Sequence, residues 1–333
     1  MTSCVKGLVT VLTPAYNMES YIGNLLDSVL YQTYSQLEMI VVDDGSTDGT
    51  RNIVDGYIRK FEKKGYRLKY YYQYNQGQSS AINYGLKKVE GEYLVWPDSD
   101  DWYSRNDALE RMVETLSRTD DRIGLVRCAY NRVSEDKNEI VRIDYPQQYG
   151  EPRNLFDCLI KRERNVWIEP GGWMVKTKFL EELLPNRSIY TSKNTGQNYQ
   201  ILLPYLYSKK CMAIEEPLFS YLIRKESHSR GQYDTYEKEM VKHQEVWTTQ
   251  TESLKSIKDM PADKLPLYIG IVDKRMTYSL CLLYFKHNRQ WLFVRGYLEL
   301  INHYKTLFSY KLFTLFLCSL IPCSFRIINH IRR

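Results

Sequence analysis

Gly91-Glu92-Tyr93-Leu94-Val95-Trp96-Pro97-Asp98-Ser99-Asp100-Asp101-Trp102 is the stretch on which the reading of this chain turns. The apolar run Tyr93 to Trp96 is stopped by Pro97 and followed by three carboxylates in four positions. A short apolar run bounded in this way reads as a buried strand of a parallel sheet, and ligands of such sheets gather outside the carboxyl ends of the strands. Alternating residues of an extended segment can converge on one hard cation, and oxygen-only ligands suit Mg²⁺ or Mn²⁺. Three carboxylates this close repel one another unless something positive lies among them. Taken alone, the same stretch also suits a solvated acidic turn after a strand. The features upstream decide between the two.

Gly7 to Leu12 is a β-branched apolar run ended by Thr13-Pro14, a strand followed by a turn. Ser20 offers an N-cap, and Ile22, Leu25, Leu26, Val29 and Leu30 fall at helical spacing, predicting a helix that ends near Tyr34. Leu37 to Val42 is a second buried strand, Ile53 to Phe61 repeat the helical stripe, and Leu68 to Gln73 give a third strand. Gly77 to Val89 give a third helix before the Tyr93 strand. This β-then-α alternation predicts an α/β protein with a parallel, doubly wound sheet.

Beyond it the order loosens. Ile123 to Tyr130 and Glu139 to Ile143 read as strands, and Asn154 to Ile160 and Thr177 to Leu184 as short helices. Between these helices lies Glu169-Pro170-Gly171-Gly172-Trp173, whose glycines imply close backbone approach to some neighbour. From about Gln232 the pattern is helical. The expected organisation is an α/β domain over residues 1–230, a helical extension over 231–304, and a basic-flanked apolar segment over 305–333. The apolar part of that last segment is short of the ~20 residues of a spanning helix. It suits either a membrane interface or a terminal helix packed on its own domain or on a second subunit.

Composition sets outer bounds. A chain of 333 residues, 43% hydrophobic and 26% charged, is ordinary for a globular protein with a large core. A net charge of +6, without zinc-finger spacing, an RNP-like motif or a basic arm, argues against nucleic acid as a partner. Seven scattered cysteines with no C-x-x-C pair favour a reducing compartment, and the amino terminus lacks a basic-then-apolar signal pattern. The expected location is cytoplasmic, peripheral at the inner face of the membrane.

The strand ends share a chemistry. The first loop carries Thr13-Pro14-Ala15-Tyr16-Asn17 and Glu19, the second Asp43-Asp44-Gly45-Ser46, the third Asn75-Gln76-Gly77, and the fourth the acid cluster. Together they form a rim able to hold a nucleotide. With Ile40-Val41-Val42 leading into Asp43-Asp44-Gly45-Ser46-Thr47-Asp48, these motifs in this order resemble family 2 glycosyltransferases of the GT-A fold. The resemblance is firm over residues 7 to about 105, weaker to about 230, and absent beyond.

That resemblance implies roles. Pro14, Ala15 and Tyr16 would line the base, with Thr13, Glu19 and Ser99 in the same binding loops. Asp44 would hydrogen-bond the base, Asp43 would support the loop and Asn75 would close over the nucleotide. Asp98 would sit near ribose and metal, Asp100 would ligate Mn²⁺ or Mg²⁺, and His228 matches a metal- or diphosphate-facing position. Trp102 and Trp173 are weak candidates for stacking against an acceptor sugar. Family members that glycosylate a hydroxyl carry an acidic pair before a helix, but here Gln197-Asn198 stands in that place. An amide orients a hydroxyl but cannot take its proton. Three explanations stay open: Glu169 is the base, the acceptor is a lipid phosphate that needs none, or the chain binds nucleotide sugar without turnover. The implied function is inverting transfer from a nucleotide-sugar, UDP-sugar first, to a lipid-linked saccharide for a capsule or other surface polysaccharide. A nucleotidyltransferase would need a glycine-rich loop after the first strand, which Thr13 to Asn17 is not.

Overall fold

The computed structural model describes residues 4–146, 155–162, 166–193, 196–224, 235–302, 313, 315 and 316. Its spine is β1 (Val5–Ala15), buried from Leu8 onward. Helix α1 (Ile22–Leu30) buries the whole predicted stripe, Ile22, Leu25, Leu26, Val29 and Leu30, against the sheet. Two details differ from expectation. Ser20 lies in a turn and Tyr21 takes the N-cap position without a side-chain cap; the Ile22 N–H instead donates to the Met18 carbonyl at 2.9 Å. The helix also stops at Leu30, because Gln32 folds inward. Its amide donates to the Ser28 and Arg105 carbonyls at 2.9 Å and its Oε1 accepts the Leu109 N–H at 3.0 Å.

Strand β2 (Leu37–Asp43) is followed by α2 (Thr50–Lys64), which ends at Gly65 in the left-handed region, the usual helix stop. Then come β3 (Arg67–Tyr72), α3 (Gln78–Leu86) and β4 (Gly91–Val95). A Cβ on Gly85 would lie 2.1 Å from Leu12 Cδ1, so glycine lets α3 approach β1 closely. β1 pairs in parallel with β2 and β4, and β2 with β3. This half is the predicted doubly wound sheet.

The second half contains the two strands expected near Ile123 to Tyr130 and Glu139 to Ile143 and adds others the sequence did not signal. The elements in chain order are β5 (Trp102–Tyr103), α4 (Ala108–Ser117), β6 (Ile123–Ser134), β7 (Glu139–Asp144) and α5 (Phe156–Lys161). β8 (Trp173–Lys176), α6 (Leu180–Leu183), α7 (Asn198–Ser208) and β9 (Lys210–Ile223) follow. β8 joins β4 to β6, antiparallel to both; β9 runs parallel to β6, and β5 closes antiparallel on β9. Among the described residues these form one sheet of nine strands, in the order β3-β2-β1-β4-β8-β6-β9-β5, with β7 paired to β6. The close approach implied by Gly171 is to protein: a Cβ there would meet the Phe219 ring at 2.0 Å, so β9 packs directly on that backbone.

The chain divides into two compact units, residues 1–225 with 252–259, and 226–251 with 260–333. The second holds most of α8 (Tyr236–Lys255) together with α9 (Lys264–Lys286) and α10 (Gln290–Asn302). Its core is Cys281, Phe285, Phe293, Tyr297, Leu300 and Leu315. Among the described residues no helix is long and apolar enough to cross a membrane.

Candidate active site

The carboxyl ends of β1, β2 and β3 lie side by side, with Ala15 opposite Asp43 and Asp43 opposite Tyr72. Hydrogen bonds then fix the loops that leave them. The Asp44 N–H donates to the Ala15 carbonyl at 2.8 Å. Asp43 accepts the Ser46 N–H at 2.7 Å and the Tyr70 hydroxyl at 2.6 Å. Asp44 accepts three donors from the third loop: the Gln73 amide at 2.7 Å, the Gln76 N–H at 3.0 Å and the Gly77 N–H at 2.8 Å. Its carboxylate is thereby fixed in orientation, with a lone pair left for a further donor such as a base N–H. Glu19 accepts the Gly49 N–H at 2.6 Å and so braces the loop between β2 and α2. Gly45 has φ +85°, and a Cβ there would come within 2.8 Å of the Asn75 nitrogen; this close approach brings the first two loops' neighbour, Asn75, over Asp44's own turn. Tyr16 and Asn75 are exposed, whereas Pro14 and Ala15 are buried. The buried Thr13 hydroxyl has no hydrogen-bond partner among the described residues.

The acid cluster follows β4. Asp98 accepts the Gln78 amide at 2.6 Å and the Gln197 amide at 3.0 Å, both on Oδ1. Burial first, then the neighbouring Asp100, pushes its carboxyl up to about 7. Asp100 is also raised by burial, although the Arg224 guanidinium, 2.8 Å from its Oδ2, counteracts this. Arg224 lies over the Tyr21 ring at 4.7 Å, and Tyr21 donates to Glu135 at 2.6 Å. Asp101 is fully buried; its Oδ1 accepts the Leu222 N–H at 2.9 Å and its Oδ2 has no partner among the described residues. Burial, then Asp100 and Asp98, hold it well above the usual carboxylate range. Ser99 is buried between them.

This is a donor set for a hard divalent cation: crowded oxygens, raised carboxyls and negative charge that Arg224 neutralises in part. Among the described residues no three His, Cys, Asp or Glu side chains form a ready cage. An Mg²⁺-type site does not require one, because one or two carboxylates plus substrate phosphates suffice. The residues therefore fit such an ion. Asp101→Asn tests the crowding directly. The amide oxygen keeps the Leu222 bond while a buried carboxyl whose ionisation its neighbours oppose is removed, so the metal-free protein is stabilised. Thermal melts at neutral pH check this, and the gain shrinks when a divalent cation and nucleotide are added.

At the start of α7, Gln197 is fully buried at the N-cap and donates its amide to Asp98. Asn198 opens that helix, its side-chain oxygen buried and without a partner among the described residues. Glu169 Oε1 accepts from Arg132 at 3.1 Å, while its buried Oε2 has no such partner. Burial pushes the Tyr221 hydroxyl up to about 12, and the charges of Asp101, Asp98, Glu169 and Asp100 act in the same direction.

Trp173 needs correction as an acceptor platform. It is fully buried in β8 with the Arg127 guanidinium 5.9 Å from its ring, and it presents no face to a sugar. Trp102 remains half-buried in β5, opposite Ser220. His228 lies outside the described residues. Sequence reasoning missed Gln78 and Tyr221. Gln78 follows the Asn75-Gln76-Gly77 motif directly, which is a usable signal; Tyr221 lies on β9, whose strand character was not legible.

The family model described as glycosyl transferase family 2 matches residues 10–184. Glycosyltransferase GlyA of Streptococcus pneumoniae serotype 4 is 30% identical over 235 residues, 68% of this chain and 32% of that protein. The chain spans less than half the length of such curated relatives. Among solved structures, S. aureus TarS 1-349 in complex with UDP-GlcNAc superposes with a TM-score of 0.54 at 18% identity, covering 90% of this chain and 91% of that one. Mannosyltransferase PcManGT from Pyrobaculum calidifontis, in complex with GDP-Man and Mn²⁺, superposes at 0.53 and 19% identity, covering 98% and 84%. At those identities the two structures establish the GT-A architecture, and the match over more than half of the sequence settles the family: this chain is a member of glycosyl transferase family 2.

Proposed function

We propose that the chain is an inverting, metal-dependent glycosyltransferase that moves a sugar from a UDP-sugar to a lipid-linked saccharide in the assembly of a surface polysaccharide, working at the cytoplasmic face of a membrane. The observation that carries this reading is the crowded Asp98, Asp100 and Asp101 cluster, whose raised carboxyls call for a cation. The UDP-GlcNAc of TarS and the Mn²⁺ of PcManGT support the donor class and the ion by analogy.

In this reading Asp44, fixed by its three N–H donors, accepts from the base, and Tyr16 and Asn75 cover it. Asp98 and Asp100 would hold Mn²⁺ or Mg²⁺, which supplies positive charge to the diphosphate as it leaves. Gln78 and Gln197 orient Asp98. Arg224, paired with Asp100, is a second cation at the same place and would be able to meet a phosphate there. Glu169 takes the proton of the acceptor hydroxyl through its unpartnered oxygen, Arg132 holding the other. Asn198 orients that hydroxyl.

The test is nucleotide release. UDP should appear from a UDP-sugar in the presence of a lipid-linked saccharide pool, and a chelator should stop it. Absence of release with every nucleotide sugar, despite tight donor binding by calorimetry, would instead describe a binding subunit.

A further inference from the structure

Helix α10 has two apolar sides. On one, Phe293, Gly296, Tyr297 and Leu300 are buried. Phe313, Leu315 and Phe316 pack on this same cluster, the Phe316 ring stacking on Tyr297 at 4.7 Å. The other side carries Trp291, Leu298 and Ile301, which are 69%, 46% and 41% exposed. At 100° per residue these three fall within roughly a quarter of the helix circumference. Arg295, its guanidinium 5.7 Å from the Trp291 ring centroid, and the exposed Glu299 border that side.

Charge is divided unevenly along the chain. Residues 260–333 contain eleven Lys or Arg against three Asp or Glu, while the whole chain has 46 against 40. Residues 1–259 therefore carry a slight acidic excess, and all of the positive excess lies in the segment that includes α10. Two copies meeting through this segment would bring like net charge together. An anionic lipid surface would be attracted. Tryptophan favours the headgroup level, aliphatic side chains bury in the acyl boundary, and cations gather anionic lipids.

We propose that the outer face of α10 docks on an anionic membrane surface, with Trp291 at headgroup level and Leu298 and Ile301 inserted. The proposal deepens the membrane-face reading given above and moves the contact from residues 305–333 to a defined helix face.

Flotation of the full chain with phosphatidylcholine vesicles, with and without phosphatidylglycerol, tests it. Binding should require phosphatidylglycerol and fall as salt is raised. The double variant Leu298→Gln, Ile301→Gln should bind at least about tenfold more weakly, since two buried aliphatic side chains are lost, with an unchanged melting temperature. Brominated acyl chains should quench a part of the tryptophan emission that disappears in Trp291→Phe. Equal binding to neutral vesicles, wild-type flotation of the double variant, or quenching unaltered by Trp291→Phe would each overturn the proposal. Loss of flotation in Phe308→Gln, Leu312→Gln alone, with the α10 variant unaffected, would place the contact in the tail and overturn it too. Nucleotide release measured on the same variants without vesicles separates failure of docking from failure of the transferase reading.

Discussion

Asp100→Ala lowers nucleotide release by about a hundred- to a thousandfold at saturating donor, the size expected when one group that stabilises developing charge is removed. Asp100 sits in a half-closed site, and its carboxylate is raised by burial even with Arg224 beside it, so an added cation would stabilise it. The variant should remain folded. It leaves Arg224 without its ion pair but also relieves the repulsion on Asp98 and Asp101, two effects of opposite sign. Melting temperature and circular dichroism check that point. Asp107→Ala, which removes a half-buried carboxylate paired with Arg105, should leave the rate unchanged. Full turnover by the Asp100 variant would remove the acid cluster from the reaction.

The second large effect concerns the proton. Glu169→Gln keeps the shape and an oxygen for Arg132 but cannot act as a base. The rate should fall by about 10²- to 10⁴-fold, with donor affinity by calorimetry unchanged. Asn198→Ala should act more weakly, since it removes a hydrogen bond rather than a proton acceptor. If Glu169→Gln turns over like the wild type, the acceptor arrives already ionised, as a lipid phosphate would, and the pH profile would lose its basic-group limb in both proteins.

The two halves of the sheet differ in how openly the sequence announces them. Strands β1, β2 and β4 are buried on both faces and are therefore written as continuous apolar runs, Val9 to Leu12, Met39 to Val42 and Tyr93 to Trp96. The polar loops at their ends carry motifs of fixed local spacing, so the rim of Asp43, Asp44, Asn75, Asp98 and Asp100 is readable without coordinates. Strand β9 is different. Its 14 residues include Glu215, Glu216 and Pro217, and its pairing with β6 is interrupted by irregularities, so no clean alternation survives. Trp173 illustrates the same limit in a single residue. Its glycine neighbours implied a close backbone approach, and the group that approaches Gly171 is the Phe219 ring of the protein itself.

By itself the sequence determined the parallel half of the fold, the position of its acidic rim and the family, because strand burial and loop chemistry are encoded within a dozen neighbouring residues. Only the tertiary structure decided what surrounds that rim. Gln197 reaches Asp98 across 99 positions, Leu222 donates to Asp101 across 121, and Arg224 meets Asp100 only because β9 lies along β6. Such contacts leave no local periodicity. They follow from packing, which satisfies buried carboxylates with whatever donors the sheet brings into reach.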